Sequence, residues 1–377
     1  MNKFVNFAGK TLQAVLISSI LTGTLNYVVD PYGAFGDKAF NMPSYSVSMN
    51  QKIVKTDYIE KNYKKYNTYI VGGSKAGGLL AEDVDKAFGG ETKAYNIMSF
   101  LGEFEYYEDT INYLIDKCEA KSIILQLSVL ETKYYGAFQS PTSSMSYKVG
   151  KITEAEYYDK FLFSDLTEVI NKIKTSQIED YESTTKLNFE TGVQNRAKTL
   201  KTLESMGTDF YIKGAGFTQK PNEKVLMGIE DNLQALQRIV DKCKEKGVTF
   251  TLISAPTSNK EFMIYPKDVL KDYMIRMASI CPYWNFTGYN SESSNYWNFY
   301  DVNHYRRELG QMMLTKMKNV QVGIVPPEQI PSDFGVYVTP ENAQAEMDRA
   351  FTPPANLEDE NHRFGMAFGE NRWATVE

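Results

Sequence analysis

The segment that decides the fold is TYIVGGSKAGG, residues 68–78. It begins with strand-favouring, largely apolar residues, and a pair of glycines ends that run. The pattern predicts a buried strand over residues 68–71, a sharp turn that carries Ser74, and a helix over residues 75–88. Ligands bind at the carboxyl ends of strands in open α/β sheets, so this turn is a candidate site.

Strand and helix patterns continue to alternate after this segment. Further strands are predicted over residues 93–98, 122–129 and 248–253, and further helices over residues 105–117 and 231–246. Parallel neighbours in a sheet need a crossover connection, and helices of this length supply it. The expected fold class is therefore α/β, a three-layer sandwich with a central parallel sheet.

Two parts of the chain interrupt the alternation. Residues 131–228 are polar and rich in Tyr, Ser and Thr, with a helical piece over 166–174, and are interpreted as an insertion that shapes the substrate cleft. Residues 321–377 contain six prolines among acidic residues, which predicts an irregular C-terminal extension with little core. The main domain would then cover residues 31–320.

The N-terminal segment has the pattern of a membrane anchor. Residues 11–29, TLQAVLISSILTGTLNYVV, carry no charge, whereas Lys3 and Lys10 precede them and Asp30 follows. Such a run at helical rise matches a bilayer core of about 30 Å. The lysines favour a cytoplasmic N-terminus, so residues 1–30 are expected to form a single-pass anchor in the cell membrane, with the catalytic domain extracytoplasmic. A cleaved signal peptide and a buried core helix are the alternatives.

Composition excludes several classes of function. The net charge of -6 and the absence of a basic cluster argue against nucleic acid as a partner. The three cysteines, Cys118, Cys243 and Cys281, fit neither a disulfide framework nor a zinc site, so no metal or other cofactor is expected. The sequence has only two histidines, His304 and His362, which limits any mechanism that needs an imidazole.

The second chemical motif is NFYDVNHYR, residues 298–306, in which Asp301 and His304 stand three positions apart. A serine hydroxyl is a poor nucleophile until an imidazole takes its proton, and a carboxylate orients that imidazole. Ser74, Asp301 and His304 are therefore the candidate catalytic residues, with His362 an outside alternative to His304. The competing interpretation is that Asp301 caps a helix over residues 304–317 and His304 is a surface residue.

The glycine turn has other interpretations. A glycine-rich turn between a strand and a helix also holds phosphates, as in cofactor-binding α/β proteins. However, residues 71–78 lack the Lys-Ser/Thr pair of a P-loop and the G-x-G-x-x-G order of a dinucleotide-binding turn. An α/β-hydrolase elbow resembles the turn too, but its acid and histidine come from separate loops.

An early serine followed by a late Asp-x-x-His resembles the SGNH (GDSL) hydrolases, over roughly residues 26–318. Weaker similarities are NYVVDPYGAFG after the anchor, YNIMSFLGEF around the end of the second strand, and the unit DNLQALQRIVDKCKEKGVTFTLISAP. These look most like the envelope branch that contains the DltD proteins and the alginate O-acetyltransferases. The resemblance implies an acyl donor, an envelope polysaccharide or teichoic-acid-like acceptor, and a multi-pass membrane O-acyltransferase as partner.

The sequence departs from this family at the oxyanion hole. The usual Gly-Asp-Ser is Gly-Gly-Ser here, and Gln126 and Ser128 stand where a Gly-x-Asn-Asp block would follow the third strand. The predicted oxyanion donors are the backbone N–H groups of Ser74 and Gly102 and the side chain of Asn96.

Two functional hypotheses follow. The first is serine-dependent acyl transfer or ester hydrolysis on a cell-envelope glycopolymer. The second is a non-catalytic envelope protein that binds polysaccharide or scaffolds an acyltransferase, which the 26 tyrosines favour because aromatic faces suit sugar rings.

Overall fold

The chain begins with a long exposed helix that precedes the α/β domain. The computed structural model describes residues 2–40, 49–100, 102–129, 140–176, 187–193, 205, 226–323 and 329–354. Helix α1 (Asn2–Val29) is long and apolar enough to cross a membrane, and most of its surface is exposed. Helix α2 (Gln51–Asn62) follows and is capped by the side chain of Asn50.

A six-stranded sheet forms the centre of the domain. Its strands are β1 (Thr68–Gly72), β2 (Ala94–Asn96), β3 (Ser122–Leu127), β4 (Thr249–Ser254), β5 (Tyr283–Asn285) and β6 (Val336–Val338). The order is β2-β1-β3-β4-β5-β6, with β1 to β5 parallel and β6 antiparallel to β5. The predicted α/β class is confirmed, and the predicted parallel sheet is parallel except for β6. The strand order reverses between β1 and β3, and such a switch point opens a crevice at the carboxyl ends of the strands.

Nine further α-helices lie among the described residues. They are α3 (Ala81–Phe88), α4 (Phe104–Lys117), α5 (Glu154–Leu162), α6 (Thr167–Ser176), α7 (Ile229–Lys246), α8 (Asn259–Phe262), α9 (Lys267–Ile280), α10 (Arg307–Gln321) and α11 (Ala343–Phe351). The helices predicted over residues 105–117, 166–174 and 231–246 are confirmed within two residues at each end, whereas α5, α8, α9 and α11 had not been predicted. Helix α7 ends at Gly247, which takes the left-handed conformation that glycine tolerates best.

Residues that alternate along the strands enter two different hydrophobic clusters. Tyr69 and Ile123 belong to a cluster with residues of α4, α7 and α9, whereas Ile70 and Ile124 belong to one with residues of α3 and α10. Successive side chains of a strand point to opposite faces, so both faces of the sheet are covered. This explains why the strands are apolar without alternation.

The predicted helix over residues 75–88 is wrong in its first half. The chain forms a short 3₁₀ helix over Ser74–Gly78, and α3 begins only at Ala81. The side-chain amide of Asn96 donates to the carbonyls of Ala76 and Leu79, both at 2.7 Å, and so holds the chain in a turn at this point. A contact from β2 to the turn that follows β1 therefore overrides the local helical pattern.

The expectation of an irregular C-terminal extension is wrong for residues 329–354. Strand β6 pairs with β5, and α11 packs against α9 with Met347 fully buried in the main core. Pro331 and Pro340 lie in the turns on either side of β6, whereas the apolar residues of α11 recur at helical spacing and need a partner surface. Residues 355–377, including the alternative His362, lie outside the described part of the chain.

The insertion is described over residues 140–176, 187–193 and 226–228, with residue 205. A capping box of Thr153 and Glu156 starts α5, and both α5 and α6 pack against α1. The segment 187–193 lies beside β2, where the Asn96 N–H donates to the Thr191 carbonyl at 3.0 Å. The α5–α6 pair therefore accompanies the N-terminal helix, and the predicted role of residues 131–228 in shaping a cleft stays a prediction.

Candidate active site

Ser74 stands at the carboxyl end of β1, at the switch point of the sheet. It is partly exposed and is the first residue of the 3₁₀ helix Ser74–Gly78. The preceding Gly72 passes so close to β3 that an added Cβ would lie 2.5 Å from the Gln126 carbonyl oxygen. The sequence therefore needs glycine there, and the tight passage brings Ser74 to the edge of the sheet.

Asn96 supports this turn instead of facing a substrate. Its side-chain NH₂ donates to two carbonyls of the serine turn, and its Oδ1 accepts from the Met98 N–H at 2.9 Å. The side chain is fully buried. Both amide protons are already used, so the prediction of Asn96 as an oxyanion donor is wrong.

The segment around His304 is a loop and not the start of a helix. Phe299 and Tyr305 form an antiparallel bridge, and the Tyr300 N–H donates to the His304 carbonyl at 2.7 Å. Helix α10 begins three residues after His304, so Asp301 does not cap it. Asp301 Oδ1 instead accepts from the backbone N–H of Asn303 and of His304, at 2.8 and 2.9 Å.

Ser74, His304 and Asp301 form a continuous hydrogen-bonded chain. His304 Nε2 lies 2.8 Å from Ser74 Oγ, and His304 Nδ1 lies 2.9 Å from each carboxylate oxygen of Asp301. A carboxylate only accepts, so Nδ1 carries the proton and Nε2 is left to accept from the serine hydroxyl. The imidazole side chain is 23% exposed, which leaves the site open to a substrate.

The electrostatics of Asp301 favour its charged form. Burial opposes ionisation, but hydrogen bonds from the His304 ring and from two backbone N–H groups outweigh it and hold the pKa of Asp301 below its usual value. Asp301 is therefore a carboxylate at neutral pH, suited to stabilise an imidazolium.

Tyr305 fixes the position of its neighbour His304, and the sequence analysis did not find it. Its ring packs against the serine turn, where an added Cβ on Gly78 would lie 2.3 Å from the ring. Its hydroxyl hydrogen-bonds with the side-chain amide of Gln126 at the end of β3, at 2.8 and 3.0 Å. Gln126 had been noted only as a departure from the family pattern. The three segments that meet here are thus tied together by one buried tyrosine.

A buried ion pair is formed by the residue that follows Ser74. Lys75, the residue after Ser74, pairs with Glu261 of α8 at 2.5 Å, and the two side chains are 3% and 0% exposed. Burial raises the pKa of Glu261, although the positive charges of Lys75 and His304 oppose the rise. A lysine inside a glycine turn was a visible signal for such a pair, whereas nothing in the sequence marks Glu261.

Helix α8 also holds the histidine loop. The Ser258 hydroxyl, which caps this helix, donates to the Val302 carbonyl at 2.7 Å. Val302 lies between Asp301 and His304, so α8 contacts both the serine turn and the loop that faces it.

Of the predicted oxyanion donors, the backbone N–H of Ser74 lies at the start of a short helix. Ser74 begins the 3₁₀ helix, so the helix itself does not use its N–H. Gly102 packs against the hydroxyl end of Tyr107, and its part in an oxyanion hole stays a prediction. Across the described ranges, no group of three or more His, Cys, Asp or Glu residues is arranged to hold a metal.

No protein-family model, no curated protein and no solved structure matches this chain. The likeness to SGNH hydrolases therefore depends on the two motifs, and the chemistry has to be argued from Ser74, His304 and Asp301 themselves.

Proposed function

We propose that this chain is a serine-dependent acyl-transferring enzyme of the SGNH type, with a three-layer α/β/α sandwich as its catalytic domain. The observation that carries the proposal is the hydrogen-bonded order Ser74 Oγ, His304 Nε2, His304 Nδ1, Asp301. A serine hydroxyl hydrogen-bonded to an imidazole that a carboxylate orients is the arrangement that activates serine for attack on a carbonyl.

In the first half-reaction, Ser74 Oγ attacks the carbonyl carbon of an ester while His304 Nε2 takes the hydroxyl proton. Negative charge develops on the carbonyl oxygen, and the predicted hydrogen-bond donor to it is the Ser74 N–H. Collapse of the intermediate breaks the ester bond, and the imidazolium gives its proton to the leaving alcohol. The acyl group is then bound to Ser74, with Asp301 having stabilised the imidazolium.

In the second half-reaction, His304 removes a proton from water or from an acceptor hydroxyl, and the resulting oxygen nucleophile attacks the acyl-serine. Collapse of this intermediate breaks the bond between the acyl carbon and Ser74 Oγ, and the imidazolium returns its proton to Ser74. Water gives ester hydrolysis, and a sugar hydroxyl gives acyl transfer. The resemblance to the envelope branch favours a cell-envelope polysaccharide or teichoic-acid-like acceptor and a multi-pass membrane O-acyltransferase as partner. No cofactor is needed for either step.

The location belongs to the same proposal. We infer that α1 is a single-pass anchor in the cell membrane, with its N-terminal Lys3 and Lys10 in the cytoplasm and the α/β domain outside. An envelope glycopolymer would then be within reach of Ser74.

Labelling with a fluorophosphonate probe tests the chemistry, because the probe reacts with activated serines. The full chain is purified in detergent, labelled and mapped by mass spectrometry, beside Ser74→Ala and the control Ser291→Ala. Ser291 is a matched control because its hydroxyl donates to a carboxylate, Asp333 at 2.8 Å, and no histidine contacts it among the described residues. We expect labelling at position 74 in the wild type and in Ser291→Ala, and its loss in Ser74→Ala.

A wild-type chain that folds but is not labelled at Ser74 would contradict the enzymatic proposal and favour the non-catalytic envelope protein. Acceptor choice is measured separately by following acyl groups from an activated ester to water or to added oligosaccharide.

A further inference from the structure

Helix α1 contains a polar residue that is fully buried by a distant part of the chain. Asn26 lies in the apolar run, yet its side-chain NH₂ donates to the carbonyls of Leu162 and Ser164, both at 3.0 Å. Ser164 Oγ donates back to Asn26 Oδ1 at 3.0 Å. Leu162 and Ser164 lie where α5 ends and the turn to α6 begins. Hydrogen bonds therefore hold this turn against the side of the apolar helix.

The hairpin of α5 and α6 runs along α1 towards its N-terminus and back. Near the start of this path, the Tyr157 hydroxyl of α5 donates to the Ala34 carbonyl at 2.9 Å, beyond the end of α1. At the turn, an added Cβ on Gly23 would lie 3.8 Å from the ring of Phe163. The turn therefore reaches the level of Gly23.

Helix α6 leads back to the end of α1. Lys172 donates to the Asp30 carbonyl at 2.8 Å and pairs with Asp37 at 2.6 Å. Gly23 precedes Asp30 by seven residues, which is about 10 Å at helical rise. The charged contacts are thus at the end of α1, whereas the turn projects about two helical turns into its apolar stretch.

The turn and the first helical turn of α6 expose apolar side chains. Phe163 is 53% exposed and Ile170 is 51% exposed, and Leu162 and Leu166 beside them are partly exposed. The turn also carries one carboxylate, Asp165, which accepts from the N–H and hydroxyl of Thr167 at the start of α6. An aromatic and an aliphatic side chain beside a carboxylate at the start of a helix suit the boundary between lipid headgroups and acyl chains.

We infer that the α5–α6 turn is a second membrane contact, in which Phe163 and Ile170 enter the lipid interface beside α1. Lipid is the occupant that the geometry favours, because the turn continues the exposed apolar surface of a helix long enough to cross a bilayer. The inference rests on α1 as an anchor and is independent of the acyl-transfer chemistry.

Depth-dependent quenching by brominated lipid tests this contact. The full chain is reconstituted into phosphatidylcholine and phosphatidylglycerol vesicles as the wild type, Phe163→Trp and Val269→Trp. Val269 is the matched control because it is 43% exposed and lies on α9, which packs against α7 and α11 and not against α1. Subtraction of the wild-type signal isolates the emission of the added indole.

We expect the added emission of Phe163→Trp to be mostly lost with lipid brominated high in the acyl chain, and that of Val269→Trp to be retained. Equal quenching of the two variants, or release of the wild-type protein by carbonate, overturns the inference. Fluorophosphonate labelling in detergent reports on Ser74 without lipid, so failure of the membrane contact and failure of the proposed chemistry are distinguishable.

Discussion

Ser74 and His304 are separated by 230 positions in the chain, and their contact depends on side chains that hold two short loops. Asp301 folds the histidine loop through two backbone hydrogen bonds and also orients the ring. The ion pair of Lys75 and Glu261 lies next to Ser74. Asp301 thus controls both the shape of the histidine loop and the orientation of the imidazole ring.

Asp301→Asn separates these two roles. The amide oxygen of asparagine still accepts from the backbone N–H groups, but its NH₂ faces His304 Nδ1 and favours the tautomer with the proton on Nε2. That imidazole cannot accept the proton of Ser74. We expect the labelling rate of Ser74 to fall about 10³- to 10⁴-fold, the size of effect known for an aspartate-to-asparagine change in a serine protease triad. Thermal melting should change little, and a rate within a factor of about ten of wild type would contradict the assigned role.

The buried pair predicts strong coupling between two substitutions. Lys75→Met or Glu261→Gln alone removes the partner of a buried ion, which costs about 3–5 kcal/mol of unfolding free energy. The double variant leaves no uncompensated charge, so it should be more stable than either single variant. Denaturant titrations of the four proteins give the coupling energy, and additive effects would mean that the pair does not act as a unit.

At the scale of elements, glycines allow close backbone contacts. They let the serine turn lie directly against β3 and against α10. An added Cβ on Gly310 of α10 would lie 2.4 Å from the Gly78 carbonyl oxygen, and Gly78 itself contacts the Tyr305 ring. The 3₁₀ helix thus packs directly on the element that follows His304. A side chain at this contact would have to displace the histidine loop.

Gly78→Ala tests this packing. We expect a lower melting temperature and slower labelling of Ser74, because Tyr305 must move and His304 is its neighbour in the chain. Gly77→Ala is the matched control within the same short helix, since its Cβ would meet only the terminal Met98 methyl, at 3.0 Å. If both variants label at the wild-type rate, the contact does not position the histidine loop.

At the scale of the whole molecule, the domain buries several charged groups near the site. Lys55 of α2 is fully buried and donates to the Met98 carbonyl at 2.7 Å, and burial lowers its pKa to about 7. The unfolded chain has a lysine pKa near 10.5, so it binds more protons than the folded chain between these values. Stability contributed by Lys55 must therefore rise with pH in that window.

Lys55→Met removes this dependence. Between pH 7 and pH 9 the unfolding free energy of wild type should gain up to about 1.4 kcal/mol per pH unit relative to the variant. Above that range the cysteines act in the opposite direction, since burial raises the pKa of Cys243 to about 11. Denaturant titrations at several pH values give the two slopes, with Lys61→Met on the exposed side of α2 as control. Parallel slopes for wild type and Lys55→Met would show that Lys55 is not buried as a base.

The sequence predicted much of this architecture because its local patterns act over short distances. Apolar runs bounded by glycine and polar residues identified β1, β3 and β4, and helical spacing identified α4 and α7. With two histidines in the chain, residue chemistry was enough to propose the partner of Ser74. The prediction failed at Asn96 and over residues 329–354, where the outcome depends on contacts between distant segments.

The sequence by itself determined the mostly parallel α/β sheet, the apolar N-terminal helix and the identity of the three side chains that meet at the candidate site. The tertiary structure decided which groups hold them there, namely Asn96, Tyr305, Gln126 and the buried pair of Lys75 and Glu261. Periodicity and turn composition are properties of neighbouring residues, so they can be recognised in the amino-acid sequence. A hydrogen bond or ion pair between different elements forms only when packing brings the two residues together, and no local pattern encodes it.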